Sequence, residues 1–353
     1  MFDRCRAFLL AVLTVVAVSS PLLAQTETKP AASQPLKIGF SIDSLKIERW
    51  QTDLDDFQKR AHELGADVMA ESAEGDDELQ FQQSQKLIDA GIKVLVLMPH
   101  NTDKAVRIVE AAKAKHVAVL DYERLVHNGD VDVFVGVDPY MVGVEQAMAL
   151  TERAPKGNYM LMGGSPADAN ARSARAGQMY VLKPLVDRGD IKIVADVWVP
   201  DWDPSEAYLL MAQAIDSTQG NITAVVASND GTAGGAIQAL EDHKLAGKIL
   251  ISGQDADLAA IVRILIGTQT MTVYKPIASQ AALAAEAAVK LAKGESISSN
   301  TSINNGVKNV PAVLLSAVIV TKDNIKQTVV KDGFQKIEMI KQGLPKEKWS
   351  EIE

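Results

Sequence analysis

Ten polar and aromatic side chains follow the apolar runs of this sequence, at places where they could act together on one ligand. Taken singly, each is typical of a solvated or capping residue. Together they combine carboxylates that accept hydrogen bonds, basic groups that donate them, carboxamides that do both, and two indole rings. Such a mixture can satisfy vicinal hydroxyl groups, so it favours a polyhydroxylated ring as the ligand. The ten residues are Arg49, Trp50, Glu123, Arg124, Asp168, Asn170, Trp202, Asn229, Asp255 and Lys275.

The two tryptophans of this set, Trp50 and Trp202, offer wide flat faces that could cover the C–H surface of a pyranose. Trp50 shares a helical face with Leu54 and Phe57, so its position suits a packed core equally well. Trp202 is flanked by acidic residues and a proline and has no such apolar companions. We therefore expect Trp202 to be the firmer ligand contact.

Strand-like and helix-like segments alternate along the chain and would position these residues. The first four apolar runs, separated by helical patterns, are KIGFSI, DVMAES, VLVLMP and VAVLDYE. This alternation predicts an α/β fold with a parallel sheet covered by helices on both faces. Parallel strands end at one edge of their sheet, and open α/β sheets bind ligands at that edge.

A break in this rhythm indicates two lobes. The run DVDVFVGVDPYMVG, residues 130–143, arrives without the usual preceding helix, and alternation resumes with NYMLMGG, IKIVADVWV, ITAVVAS, KILISGQD and TMTVYKP. We expect residues 36–138 plus 276–305 to form an N-terminal lobe. Residues 139–275 plus 306–334 are expected to form a C-terminal lobe. The charged tail, residues 335–353, is expected to fray.

The segment SNDGTAGG, residues 228–235, places three glycines between a predicted strand and a predicted helix. Their spacing matches neither the dinucleotide-binding fingerprint nor a P-loop. We interpret the glycines as a tight turn into the helix. Asp230 is predicted to cap that helix, and Asn229 is predicted to contact the ligand.

Composition and charge narrow the class of protein. A chain of 353 residues is long enough for two hydrophobic cores. Its net charge of −9 leaves no basic surface of the kind that nucleic acid requires. We therefore expect no nucleic-acid partner.

The first residues predict export. Arg4 and Arg6 precede a short apolar stretch and then small residues, so residues 1–24 are typical of a cleaved signal peptide. An uncleaved membrane anchor fits less well, because the stretch is short of the roughly 20 residues that a span needs. Residues 25–35 are expected to form a disordered leader. The only cysteine, Cys5, precedes the predicted cleavage point, and export without disulfides favours the periplasm.

Catalytic and metal chemistries find little support. The five histidines are scattered without ligand spacing, so we expect neither a metal nor a cofactor. A glycosidase with Glu123 and Asp255 as paired carboxylates is the best enzyme alternative. Arg124 and Lys275 argue against it, because they would keep both carboxylates ionised when one must act as an acid. We expect a binding protein and not an enzyme.

Six long segments carry a family resemblance: IERWQ at residue 47, NYMLMGGSPAD at 158, RAGQM at 175, VVASNDGTAGGAIQAL at 225, ISGQDADLA at 251 and GTQTMTVYKPI at 267. They resemble the bacterial periplasmic D-xylose-binding proteins of ABC importers, within the ribose- and galactose-binding group. The resemblance implies two Rossmann-like lobes with the sugar in the cleft between them. It also implies a monomer that closes about three crossovers, near Asp138, Lys275 and Gly306, and delivers sugar to an inner-membrane permease.

The resemblance places sugar contacts on all ten residues of the set except Glu123. Glu123 stands where the family usually has an aspartate, which is one methylene shorter, and Ala174 stands where we expect a bulky aromatic residue. These departures leave another pentose or a hexose open as the ligand. A sensor that presents sugar to a chemoreceptor or a two-component kinase also stays open.

Overall fold

The computed structural model describes residues 35–353. The predicted signal peptide, and all of the predicted leader except its last residue, lie outside the described residues. Between residues 35 and 353, no helix combines the length and the apolar character needed to cross a membrane.

The strands are β1 (Leu36–Ile42), β2 (Ala66–Ser72), β3 (Val94–Met98), β4 (Ala118–Tyr122), β5 (Val133–Val137), β6 (Gly157–Gly163), β7 (Ile191–Trp198), β8 (Ala224–Ala227), β9 (Leu250–Ile251), β10 (Thr272–Tyr274), β11 (Thr301–Asn304), β12 (Asn309–Leu315) and β13 (Val318–Val320). The α-helices are α1 (Glu48–Glu63), α2 (Asp77–Asp89), α3 (Val106–Ala114), α4 (Pro139–Thr151), α5 (Ala169–Asp187), α6 (Pro204–Thr218), α7 (Asp230–Asp242), α8 (Leu258–Ile266), α9 (Ile277–Ala292) and α10 (Ile337–Gly343).

A seven-stranded sheet forms the first lobe, in the order β11-β12-β5-β4-β3-β1-β2. All neighbouring pairs are parallel except the β11–β12 hairpin. Strand β3 shows why these strands are apolar throughout. Val94, Val96 and Met98 pack with α1 and α9, whereas Leu95 and Leu97 pack with α2 and α3 on the other face. The predicted parallel sheet with helices on both faces is confirmed.

The second lobe contains a four-stranded parallel sheet in the order β7-β6-β8-β9, and an antiparallel pair, β10–β13. Alternate residues of β6 again face opposite cores. Tyr159 and Leu161 pack with α4 and α5, whereas Met160 and Met162 pack with α6 and α7. Both lobes are therefore three-layered α/β units whose strand ends can face a common cleft.

The chain passes between the two lobes after β5, after β10, and between β12 and β13. The expected crossing near Gly306 is wrong, because β12 pairs in parallel with β5 in the first lobe. Gly306, with φ of 106°, instead turns the chain between β11 and β12. The crossing lies at residues 316–317, inside the run VPAVLLSAVIV. Ser316 is the only polar residue of this run, so the hydrophobic pattern does not reveal that two sheets share it.

The C-terminal tail is ordered by burial, and the expectation that it frays is wrong. Ile340, Leu344 and Ile352 are buried in one cluster with Leu265 of α8. The indole N–H of Trp349 donates to the carbonyl oxygen of Lys341 at 3.1 Å. The apolar residues of the tail are spaced among charges, so the composition of the segment concealed them.

Candidate functional site

The first lobe brings four of the predicted residues to the edge of its sheet that faces the second lobe. Arg49 and Trp50 lie in the first turn of α1, which follows β1. Glu123 and Arg124 directly follow β4, and Glu123 has a φ of 65°. This left-handed conformation bends the chain sharply at the strand end.

The second lobe contributes residues from strand ends and helix starts. Asp168 is the N-cap of α5, Asn170 lies in its first turn, and Asn229 is the N-cap of α7. Trp202 ends a short helical turn before α6, and Asp255 follows β9. The helix N-termini supply backbone N–H groups, so this side of the cleft suits ligand oxygens.

Nine of the ten side chains line a single cavity of about 20 Å³ between the lobes. The exception, Arg49, lies beside it: its Nη1 is 3.7 Å from Glu123 Oε1 and 3.5 Å from Asp255 Oδ1. A volume of this size holds a water molecule but not a sugar ring. Groups around the cavity must therefore separate for a ring to enter.

A larger cavity of about 500 Å³ adjoins the first and shares Arg124, Trp202 and Asn229 with it. Ala174 lines neither. A Cβ at Gly143 of α4 would lie 1.9 Å from the carbonyl oxygen of Ala174, so Ala174 belongs to the close packing of α4 on α5. The small residue at position 174 therefore enlarges neither cavity.

Arg49 is held by a buried carboxylate on its own helix. Its Nε and Nη2 donate to the two oxygens of Asp53, each at 2.9 Å, and both side chains are fully buried. The hydroxyl of Tyr122 also donates to Asp53. The guanidinium stacks on the Trp50 ring, 4.7 Å from its centroid. Nη1, the guanidinium nitrogen that Asp53 does not engage, therefore lies on the side of Glu123 and Asp255.

Glu123 is drawn towards the crossover that follows β10. Its Oε1 accepts a hydrogen bond from Lys275, and its Oε2 accepts one from Gln280 of α9 at 2.8 Å. Burial alone would raise the pKa of Glu123, but Lys275 and Arg49 lower it to about 2. The carboxylate is ionised at neutral pH and cannot serve as the proton donor that a glycosidase needs.

Arg124 joins the two lobes. Its Nη1 donates to Asp43 Oδ2 at 2.7 Å and to the carbonyl oxygen of Pro99 at 3.1 Å. Its Nε pairs with Asp168 Oδ2, in the other lobe, at 2.8 Å. Asp43 is held in turn by His100 Nδ1 at 2.8 Å, and this hydrogen bond raises the pKa of His100. The guanidinium is thus fixed on both sides of the cleft.

The amide of Asn229 has a structural task in addition to its place on the cavity. Its Oδ1 accepts from the backbone N–H of Thr232 at 2.9 Å, so Asn229 caps α7 and leaves its Nδ2 free for another partner. The prediction that Asp230 is the cap is wrong. Asp230 is buried and accepts from Gln269 at 2.7 Å and from Thr272 at 2.8 Å.

Trp202 lies in a segment whose backbone conformation is unusual. Asp201 and Trp202 both have positive φ, at 51° and 59°. The indole packs so tightly on Gly164 that a Cβ there would lie 2.0 Å from the ring. A glycine is required at 164 because any larger residue would displace the ring from the cavity.

Four of the ten predicted side chains carry a buried polar atom that has no hydrogen-bond partner among residues 35–353. The four atoms are Arg49 Nη1, Trp50 Nε1, Trp202 Nε1 and Asp255 Oδ1. A buried polar atom without a partner costs about 1–3 kcal/mol. Three donors and one acceptor around one cavity would all be satisfied by a ligand that carries several hydroxyl groups.

Asp43, Asp53, Tyr122 and Gln280 support the site, and sequence reasoning missed them. Asp43 directly follows β1 and could have been found by the strand-end rule used for the others. Asp53 is four residues after Arg49 on one helix, a spacing that favours ion pairs. Gln280 carried no local signal, because it reaches Glu123 from 157 positions away. In the part of the chain that the structure describes, no group of three or more His, Cys, Asp or Glu side chains could hold a metal ion.

Comparison with known proteins places the chain in a family. Residues 38–296 match a family described as "Periplasmic binding protein domain". The chain belongs to this family. The family match covers the first lobe through α9 and most of the second, and so contains every residue of the candidate site.

Two relatives are similar over most of their length. The D-xylose-binding periplasmic protein of Escherichia coli (strain K12) is 51% identical over 306 residues, which cover 87% of this chain and 93% of that protein. The D-xylose-binding periplasmic protein of Haemophilus influenzae is 52% identical over 310 residues, covering 88% and 93%. Because the family and both relatives are binding proteins, the expectation that the chain is not an enzyme is confirmed.

A solved structure supports the fold. The carbohydrate transporter solute-binding protein from Chloroflexus aurantiacus, in complex with D-glucose, is 28% identical and superposes with a TM-score of 0.82. The match covers 87% of this chain and 98% of that one. The two-lobed α/β fold of periplasmic binding proteins is confirmed.

Proposed function

We propose that the protein binds D-xylose between its lobes in the periplasm and delivers it to an ABC permease of the inner membrane. The observation that carries this proposal is the convergence of ten predicted residues from both lobes, with four of their polar atoms still able to bond. The names of the two relatives that share about half of their residues with this chain support D-xylose as the sugar.

A pentose requires less expansion of the small cavity than a hexose does. The cavity volume of about 20 Å³ must expand even for a xylose ring, and a hexose adds a hydroxymethyl group that needs further room. Glu123, turned towards Lys275 and Gln280, leaves its Oε atoms engaged in the protein. We therefore expect the sugar to bond chiefly with Asp255, Arg49, Asn229 and the indole N–H groups.

Closure of the cleft is the proposed step that commits the sugar. Direct bonds already join the lobes beside the cavity: Arg124 pairs with Asp168, and Asn170 Nδ2 donates to the carbonyl oxygen of Glu123 at 2.7 Å. A ligand that contacts both lobes favours the closed arrangement because only there are all its bonds made. We further propose that residues 1–24 direct export to the periplasm and are then cleaved. The mature protein is proposed to be a monomer.

Calorimetric titration of the mature protein with xylose, ribose, arabinose, glucose and galactose tests this function. We expect xylose to bind, and to bind more tightly than either hexose. Trp202→Ala and Asp255→Ala should each weaken xylose binding at least about tenfold, the scale of one lost buried interaction. Absence of xylose binding, or full affinity in both variants, would contradict the proposal.

A further inference from the structure

Thr102 joins the lobes at a position that the candidate site does not include. It lies in the loop between β3 and α3 of the first lobe, and its side chain is fully buried. Across the cleft its backbone N–H donates to the carbonyl oxygen of Ala167 at 3.3 Å. Its hydroxyl accepts from the backbone N–H of Ala169 at 3.2 Å, and lies 3.4 Å from the same carbonyl of Ala167.

The segment that Thr102 holds carries a site residue at its centre. Asp168 lies between Ala167 and Ala169, caps α5 through the N–H of Asn170 at 2.8 Å, and pairs with Arg124. Bonds on both neighbours of Asp168 leave it little freedom to shift or rotate. Thr102 thus fixes the position of Asp168 although it does not line the sugar cavity.

Thr102 is itself held rigidly in the first lobe. The side-chain oxygen of Asn101 accepts from the N–H groups of Asp103 and Lys104, at 3.0 and 3.1 Å, which fixes the turn. The carbonyl oxygen of Thr102 accepts from the N–H of His127 at 2.9 Å. Because each side of the contact is anchored in a different lobe, opening the cleft must break it.

We propose that Thr102 is a positioning residue that strengthens sugar binding by fastening the Ala167–Ala169 segment to the first lobe when the cleft closes. The inference rests on the proposed function, since it requires a sugar that favours closure. In an open cleft water would satisfy the Thr102 hydroxyl and the Ala169 N–H, so their mutual bond stabilises only the closed form. Loss of the hydroxyl would leave the Ala169 N–H unbonded in the closed form alone.

The test compares Thr102→Val, which keeps the shape and removes the hydroxyl, with Thr102→Ser, which keeps the hydroxyl. We expect Thr102→Val to raise the Kd for xylose about five- to tenfold, mainly through faster dissociation. Thr102→Ser should stay within about twofold of the unaltered protein. The thermal midpoint of sugar-free Thr102→Val should not change, because the contact is absent from the open form.

Thr270→Val is the matched control. The hydroxyl of Thr270 accepts from the N–H of Ile251 at 2.9 Å within the second lobe, so its loss should lower the sugar-free midpoint and leave the Kd unchanged. An unchanged Kd in Thr102→Val, a fall in its sugar-free midpoint like that of Thr270→Val, or failure of Thr102→Val to fold would each overturn the inference. If the unaltered protein binds none of the sugars, the proposed function itself has failed, which is a separate outcome.

Discussion

The two halves of the cleft hold the side chains around the cavity by different means. In the first lobe, Arg49 and Arg124 are buried cations, each fixed by a carboxylate of the same lobe. In the second lobe, Asp168 and Asn229 are helix N-caps that accept backbone N–H groups of the helices they begin. One half depends on pairs of charged side chains and the other on the ends of helices.

This difference bears on how each half tolerates change. A buried charge whose partner is removed has lost both water and its counter-ion, which is costly. A helix that loses its cap still exposes most of its terminal N–H groups to other partners, which is cheaper. Substitutions behind the site should therefore be severe in the first lobe and mild in the second.

The largest expected effect comes from Asp53→Ala, which strips the buried Arg49 of both its short hydrogen bonds. We expect the free energy of unfolding to fall by about 3–5 kcal/mol, the usual consequence of isolating one member of a buried ion pair. Urea unfolding of the sugar-free protein measures it. Asp55→Ala, at an exposed position on the same helix, should change stability by less than about 0.5 kcal/mol. A loss below about 1 kcal/mol in Asp53→Ala would show that Arg49 does not need its carboxylate.

A smaller effect is expected from Asn229→Ala in the other half. Removing the cap of α7 should lower the free energy of unfolding by about 1 kcal/mol. Asn229→Asp keeps the accepting oxygen, so it should retain stability while it loses the amide donor and binds xylose less tightly. The same unfolding and titration measurements separate the two roles. Equal destabilisation by both changes would mean that the cap contributes nothing.

The smallest effect is expected from pH, through His100 of the first lobe. The hydrogen bond that His100 donates to Asp43 raises the pKa of His100; nearby Asp77 supports the charged form, and Arg124 opposes it. Asp201 of the second lobe also faces the ring, 3.8 Å from His100 Nε2. Because the pKa of His100 is higher in the folded than in the unfolded protein, its protonation stabilises the fold. This stabilisation is fully present below about pH 6.5, the ordinary pKa of histidine. It is lost as the pH rises through the raised folded-state value.

Urea unfolding at pH 6, 7 and 8 checks this expectation. Between pH 6 and 8 the unaltered protein should lose more stability than His100→Asn does, because only the unaltered protein loses the charge of His100. His62→Asn, at an exposed position on α1, should follow the unaltered protein. If stability depends on pH in the same way in His100→Asn and in the unaltered protein, His100 does not contribute to that dependence.

Much of the site could be predicted because its residues follow a local rule. Each strand is an apolar run, and the first polar residues after it must lie at the carboxyl end of that strand. This rule located Arg124, Asn229 and Asp255 without any knowledge of which strands are neighbours. The rule does not say where the chain passes between the lobes, and the crossing expected near Gly306 proved to be a hairpin turn.

The same rule does not identify residues that support the site through contacts with other residues. Thr102 carries no sign in its own loop that it bonds to Ala167 and Ala169, 65 or more positions away. The sequence predicts Asp230 as a cap because a cap and a buried carboxylate look alike beside a glycine-rich turn. Only the packing of Gln269 and Thr272 against it separates the two.

By itself the sequence determined the alternation of strands and helices and the polar character of each strand end, because hydrophobic periodicity is set by neighbouring residues. Tertiary structure alone decided that the two sheet edges meet, and that Arg124 finds Asp168 while Lys275 finds Glu123. These pairs join distant parts of the chain and opposite lobes. Their energies depend on burial and distance, and neither quantity is encoded in local sequence spacing.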